Sequence, residues 1–201
     1  MTNIELSGVY MKNIILVLSL TWFFISCNGV NSPLSGLLSK TYSDPTNDVI
    51  EDHIDIMSCH IDLNGDDITI DFTLENVPAS LTFNHSALAD NYLEYEYEVE
   101  FDSDLNGTPN YSISVMHFKP PGSSEIISDL ISNTQANLWE DNGSSSSTIG
   151  ASSSSLIGNV LTITTSKSLA PALSNLMIDH VFGISTFYTD GTTSYVDGVS
   201  L

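Results

Sequence analysis

Hydrophobic and polar residues alternate along most of this chain. "DITIDFTLE" places Ile68, Ile70, Phe72 and Leu74 on one side and Asp67, Thr69, Asp71, Thr73 and Glu75 on the other, the period of a half-buried strand. Upstream, "DIMSCHIDL" alternates through Cys59, Ile61 and Leu63, with a slip of phase at Met57-Ser58 that predicts a bulge. Asn64-Gly65-Asp66 between them is turn chemistry, so the two segments are expected to pair as a hairpin. A third strand, "LEYEYEVEF", points Leu93, Tyr95, Tyr97, Val99 and Phe101 inward and reads Glu94, Glu96, Glu98 and Glu100 as its wet face. "NYSISVMHF", "NVLTITT" and "HVFGISTFYTDGTTSYVDGVSL" continue the pattern. Six to eight strands at short intervals predict an all-β fold, an antiparallel β-sandwich.

Helix is scarce. "SEIISDLISN", residues 124–133, reads as a helix or as strand plus turn, and "LAPALSNL" as a helical turn at best. The serine runs Ser144–Ser147 and Ser152–Ser155, with Gly143 and Gly150 beside them, read as a flexible hairpin loop.

The N-terminus departs from this periodicity. Residues 14–26, "IILVLSLTWFFIS", are too short to span a bilayer but suit the apolar core of a signal peptide, with Lys12 before them. Phe24-Ile25-Ser26-Cys27 resembles a bacterial lipobox, with Phe24 where an aliphatic residue is usual, which implies cleavage before Cys27 and lipid attachment to its thiol; the plainer reading is an ordinary secretory signal. Met11 is a better start than Met1. The expected organisation is a signal peptide over 1–26, a lipidated cysteine and flexible tether over 27–43, and one sandwich domain over 44–201. The protein is then exported and membrane-anchored, at the outer membrane or cell surface. Cys59 is left as the other thiol, so the domain rests on its core and not on a disulfide.

Charge narrows the partners. The formal net charge is −21, with four lysines and no arginine. Cleavage removes one acid, Glu5, and one base, Lys12, so the imbalance persists. No basic surface is available for phosphates, which argues against nucleic acid and, apart from the anchor, against anionic lipid. Self-repulsion of this size favours bound or screening cations.

Several motifs carry candidate chemistry. Asp102-Ser103-Asp104-Leu105-Asn106-Gly107 has oxygen donors at alternate positions and then glycine, like the first half of a calcium loop. An EF-hand would need a glutamate where Ile113 stands, and strands flank the loop. Two readings remain: an inter-strand loop ligating Ca2+ through Asp102, Asp104 and Asn106, or a polar turn in which Asp and Asn cap their own backbone. Asp44-Pro45-Thr46-Asn47-Asp48 is a second acidic cluster, with a polar edge strand as its plainer reading. Cys59 and His60, adjacent on a strand, point to opposite faces and do not make a metal pair. No nucleophile elbow, zinc-protease helix or phosphate loop occurs, and the reading is non-enzymatic. Trp139, followed by Glu140-Asp141-Asn142, reads either as a ligand-stacking residue with polar neighbours or as a core residue, and is the candidate for ligand binding.

"DPTNDV", a hairpin, "YEVEFDSDLNGTPNYSI", "NVLTITTSKSLAP" and a last pair of strands ending near Asp197 together resemble the secreted sandwiches grouped with DOMON domains and family 9 carbohydrate-binding modules. The resemblance implies a jelly-roll-like sandwich, ion ligation by some of Asp102, Asp104 and Asn106 with Asp44 and Asp48 contributing, and a sugar or other surface ligand. The expected function is a lipid-anchored, calcium-stabilised binding protein. The alternative is a structural or adhesive surface lipoprotein whose acidic coat serves solubility.

Overall fold

The computed structural model describes residues 37–45, 48–49, 51–77, 92–119, 127–128, 136–141, 146–189 and 193–201. Among the described residues eleven strands run in the order β1 (Ser39–Ser43), β2 (Ile56–Asp62), β3 (Asp67–Leu74), β4 (Tyr92–Phe101), β5 (Tyr111–Lys119), β6 (Ile127–Ser128), β7 (Ala136–Asp141), β8 (Ser146–Ile157), β9 (Val160–Ser166), β10 (Val181–Thr189) and β11 (Ser194–Gly198). Three 3-10 turns, Lys167–Leu169, Pro171–Asn175 and Ile178–His180, connect β9 to β10.

Hydrogen bonding follows one path, β1-β2-β3-β9-β8-β7-β5-β4-β10-β11, with β6 beside β5. Every pairing is antiparallel. β8 is the corner, since Ser146–Ser152 pairs with β7 and Ser153–Ile157 pairs with β9. The path therefore folds into two packed sheets, the all-β sandwich expected from the alternation.

The alternation also sets the core. Ile61, Ile70 and Ile163 form one cross-strand row of the first sheet, Cys59, Phe72 and Leu161 the next, and all six are fully buried. Tyr95, Tyr97, Val99, Phe101, Ile113 and Val115 line the second sheet, also fully buried. Phe72 meets Tyr97 edge-to-face at 6.2 Å between centroids, joining the layers. Each large apolar side chain removed from water contributes about 1.5–3 kcal/mol, so a core of this size needs no disulfide.

The expected hairpin forms with Asp62 opposite Thr69, and the expected bulge appears as a register shift between Ile56 and Ser58. Gly65 at φ +75° turns the chain, a conformation a side chain would strain. Lys167 is buried beside this turn, its Nζ donating to the carbonyls of Leu63 and, at 3.1 Å, Gly65.

Three expectations need correcting. Ser39–Ser43, assigned to the tether, is edge strand β1: Tyr42 is buried and the whole stretch pairs with β2, although one apolar anchor in five residues leaves no visible period. The serine-rich segment is no loop where it is described, because Ser146–Ile157 forms a 12-residue strand whose first part bonds to β7 and whose remainder bonds to β9. Its serines are small enough for the corner, where Ser152 and Ser154 face inward.

The third correction concerns the glutamates. Glu96 is only 9% exposed, set by register between Phe187 and Met116, and Glu98 and Glu100 are half-buried. Ser114 and Met116 on the same side of β5 are buried too, so this region of the second sheet is covered on both faces. Burial, and after it the charges of Glu98 and Glu100, push the Glu96 carboxyl well above the usual carboxylate range. Alternation identifies the face that meets the main core; it does not say that the other face is wet. Within residues 124–133, Ile127–Ser128 is strand β6, and the rest lies outside the described residues.

Candidate metal centre at the sheet seam

The two ends of the strand path, β1 and β11, meet at one end of the sandwich, where the segment leading into β2 crosses from one sheet to the other. Three inward side chains of one row in the second sheet, Asp197, Thr186 and Tyr97, receive it. Tyr97 Oη donates to His53 O at 2.9 Å, and Thr186 Oγ1 donates to Ile54 O at 2.5 Å. Asp197 Oδ2 accepts the Ile56 N–H at 2.6 Å. Polar residues occupy inward positions here because a strand entry inside the sandwich carries backbone groups that must be paired.

The same Asp197 is one of three convergent carboxylates. One oxygen each from Asp44, Asp48 and Asp197 lies within 4.8 Å of the others. Asp44 is placed by β1, where its N–H continues the ladder to Met57 O at 3.2 Å. Asp48 is exposed, Asp44 half-buried and Asp197 95% buried. Asp44 Oδ2 is itself buried, with no N–H donor among the described residues. Asp55, fully buried, adds its field from the β2 lead-in.

Among the described residues no lysine forms an ion pair with Asp44, Asp48 or Asp197. Burial first, then Asp197 and Asp48, pushes Asp44 up to about 6. Asp197 is also raised, chiefly by burial, although the N–H groups of Ile56 and Gly198 oppose the shift. Repelling carboxylates in a partly desolvated site are relieved by protons or by a cation. Oxygens bound to one calcium at about 2.3–2.6 Å lie no more than about 5 Å apart, so the donor set and its spacing fit a hard divalent ion.

The Asp102–Gly107 loop is arranged differently. Asp102 accepts from Asn106 N at 3.1 Å and Gly107 N at 2.7 Å. Asn106 donates from Nδ2 to Asp104 Oδ2 at 3.0 Å and accepts from Thr108 N at 2.9 Å. Asn110 closes the base of the loop, accepting from Ser103 N and donating to Ser103 Oγ, both at 2.9 Å. Burial raises the Asp102 carboxyl, but bonds from Gly107 N–H, Asp104, Asn106 N–H and Leu105 N–H outweigh it and leave it below its ordinary value. This geometry matches the polar turn that caps its own backbone.

Of the residues singled out for metal binding, the structure thus brings Asp44 and Asp48 together, adds Asp197, and holds Asp102, Asp104 and Asn106 in a separate loop. Asp197 was missed as a member of this cluster, yet it carried a signal: an acid in the inward phase of "SYVDGV", where Val199 is core. His60 meets Thr41 Oγ1 at 3.0 Å through Nδ1, while burial drives the Cys59 thiol far up and keeps it protonated.

Trp139 sits on β7 with its backbone opposite Ser112, which is opposite Glu100 on β4. Its side chain lies outside the described residues, as does Cys27. Among the described residues no helix is long and apolar enough to cross a membrane. Comparison with family models, with curated proteins and with solved structures finds no match.

Proposed function

We propose that this protein is a lipid-anchored, extracytoplasmic β-sandwich binding protein whose sheet edges are held together by a divalent cation, calcium by its donor chemistry, at Asp44, Asp48 and Asp197. The observation that carries the cation reading is the convergence of three carboxylate oxygens, within 4.8 Å, at the seam between the first and last strands. A cation there would bridge β1 to β11 and relieve the repulsion that raises Asp44. Export and anchoring through Cys27 rest on the leader and lipobox. The likeness to DOMON and family 9 carbohydrate-binding modules supports a sugar as ligand, with Trp139, whose backbone lies in one cross-strand row with Ser112 and Glu100, as the residue proposed to stack on it.

Calorimetric titration with calcium, and melting in calcium against chelator, test the cation; an unchanged melting temperature would remove it from the proposal. A glycan array with wild type and Trp139→Ala tests the ligand. Binding lost in the variant supports sugar recognition. Silence on every glycan favours the second reading, a structural or adhesive surface protein whose acidic coat serves solubility.

A further inference from the structure

Two asparagine–glycine pairs in the described residues, Asn64-Gly65 and Asn106-Gly107, share the same intrinsic chemistry but differ in surroundings. In such a pair the glycine backbone nitrogen, having given its proton to hydroxide, can attack the asparagine Cγ. The new N–Cγ bond closes a succinimide, the Cγ–Nδ2 bond breaks, and ammonia leaves with a proton from water. Water then adds to either ring carbonyl, giving aspartate or isoaspartate. Glycine permits the closure because it has no side chain to obstruct it. The rate is set by how readily that nitrogen is deprotonated and how free the side-chain amide is.

The folded chain treats the two pairs oppositely. Gly107 N–H is held by the Asp102 carboxylate at 2.7 Å, whose negative charge opposes deprotonation. The Asn106 amide is fixed at both ends, by Asp104 Oδ2 and Thr108 N. At the other pair both residues are exposed, and Gly65 N–H has no side-chain acceptor among the described residues. Among the described residues the Asn64 amide is held at one end, Nδ2 donating to Asp62 Oδ1 at 2.5 Å. The Lys167 ammonium sits on the Gly65 carbonyl at 3.1 Å, where its charge favours an anionic Gly65 nitrogen.

We infer that Asn64 is a site of spontaneous conversion to aspartate and isoaspartate in the folded protein, and that Asn106 is protected by Asp102. Conversion adds a carboxylate between Asp62 and Asp66, and the isoaspartate form lengthens the backbone of the β2–β3 turn. It is independent of the cation and ligand proposals.

Incubation of the full chain in mildly alkaline buffer, with peptide mapping by mass spectrometry and enzymatic isoaspartate detection, provides the test. The expected result is conversion at Asn64 several-fold faster than at Asn106, abolished by Asn64→Gln. Asp102→Ala should bring Asn106 up toward the Asn64 rate, and in urea the two sites of the wild type should converge. Equal rates in the folded chain, faster conversion at Asn106, or none at Asn64 would each overturn the inference.

Discussion

The molecule gathers acidic oxygens in the Asp102–Gly107 loop and at the seam of Asp44, Asp48 and Asp197, and treats the two regions in opposite ways. In the loop the acids are neighbours in sequence, and backbone N–H groups four and five residues on turn toward Asp102. The result is a self-satisfied turn with a lowered carboxyl at Asp102. At the seam the acids arrive from distant parts of the chain and face one another; Asp197 also takes the Ile56 and Gly198 N–H groups, yet both it and Asp44 are raised. A local motif can spend its oxygens on its own backbone. Carboxylates brought together by tertiary structure keep a demand for positive charge.

The largest effect that would break this contrast is on cation-linked stability. Calcium added after chelation should raise the melting temperature by several degrees, since ligand at about 100 times its Kd contributes about 2.7 kcal/mol. Asp44→Asn and Asp197→Asn should abolish that rise while Asp104→Asn leaves it intact. The reverse pattern in thermal melts would return the site to the loop.

Asp102→Ala should cost about 1–2 kcal/mol in urea unfolding, equally with calcium or chelator, because Asn106 and Gly107 lose a charged acceptor. A cost seen only in calcium would make the loop a ligand site after all.

Titration of stability in chelator separates the two regions by sign. Asp44 titrates at about 6 when folded, against an unfolded value of about 3.9, so between those values the folded state binds more protons. Its contribution should therefore be full below about pH 4 and decline as pH rises toward about 6. Asp102, lowered on folding, contributes stability above its unfolded value that is lost as pH falls through its folded value. Buried Glu96 adds a decline of the same sign as Asp44. The share belonging to the seam is thus the part of the slope that Asp44→Asn removes.

The smallest effect is expected at Asp104, which is exposed and bonds side chains of its own loop, Asn106 Nδ2 and Asp102. Asp104→Ala should change unfolding free energy by less than about 0.5 kcal/mol.

How far the sequence could be read depended on whether its signal was local. The strands around Ile61, Ile70 and Tyr97 were legible because a half-buried strand must alternate, and the bulge at Met57-Ser58 because a slip of phase has no other simple cause. Strand β8 was not, since serine alternating with serine has no hydrophobic period even where Ser152 and Ser154 face inward. Glu96 misled for a related reason. Its alternation with Tyr95 and Tyr97 is real, but the covering of the second face comes from elsewhere in the fold.

By itself the sequence determined an all-β sandwich, an excess of negative charge that few bases could pair, and two acidic stretches able to hold oxygen ligands. Only the tertiary structure decided which acids face one another. Asp102 finds its donors within five residues, an arrangement short-range backbone geometry can complete. Asp197 meets Asp44 only because the whole strand path folds back and brings its two ends together. Repulsion between carboxylates depends on their separation in space, and distance along the chain does not report it.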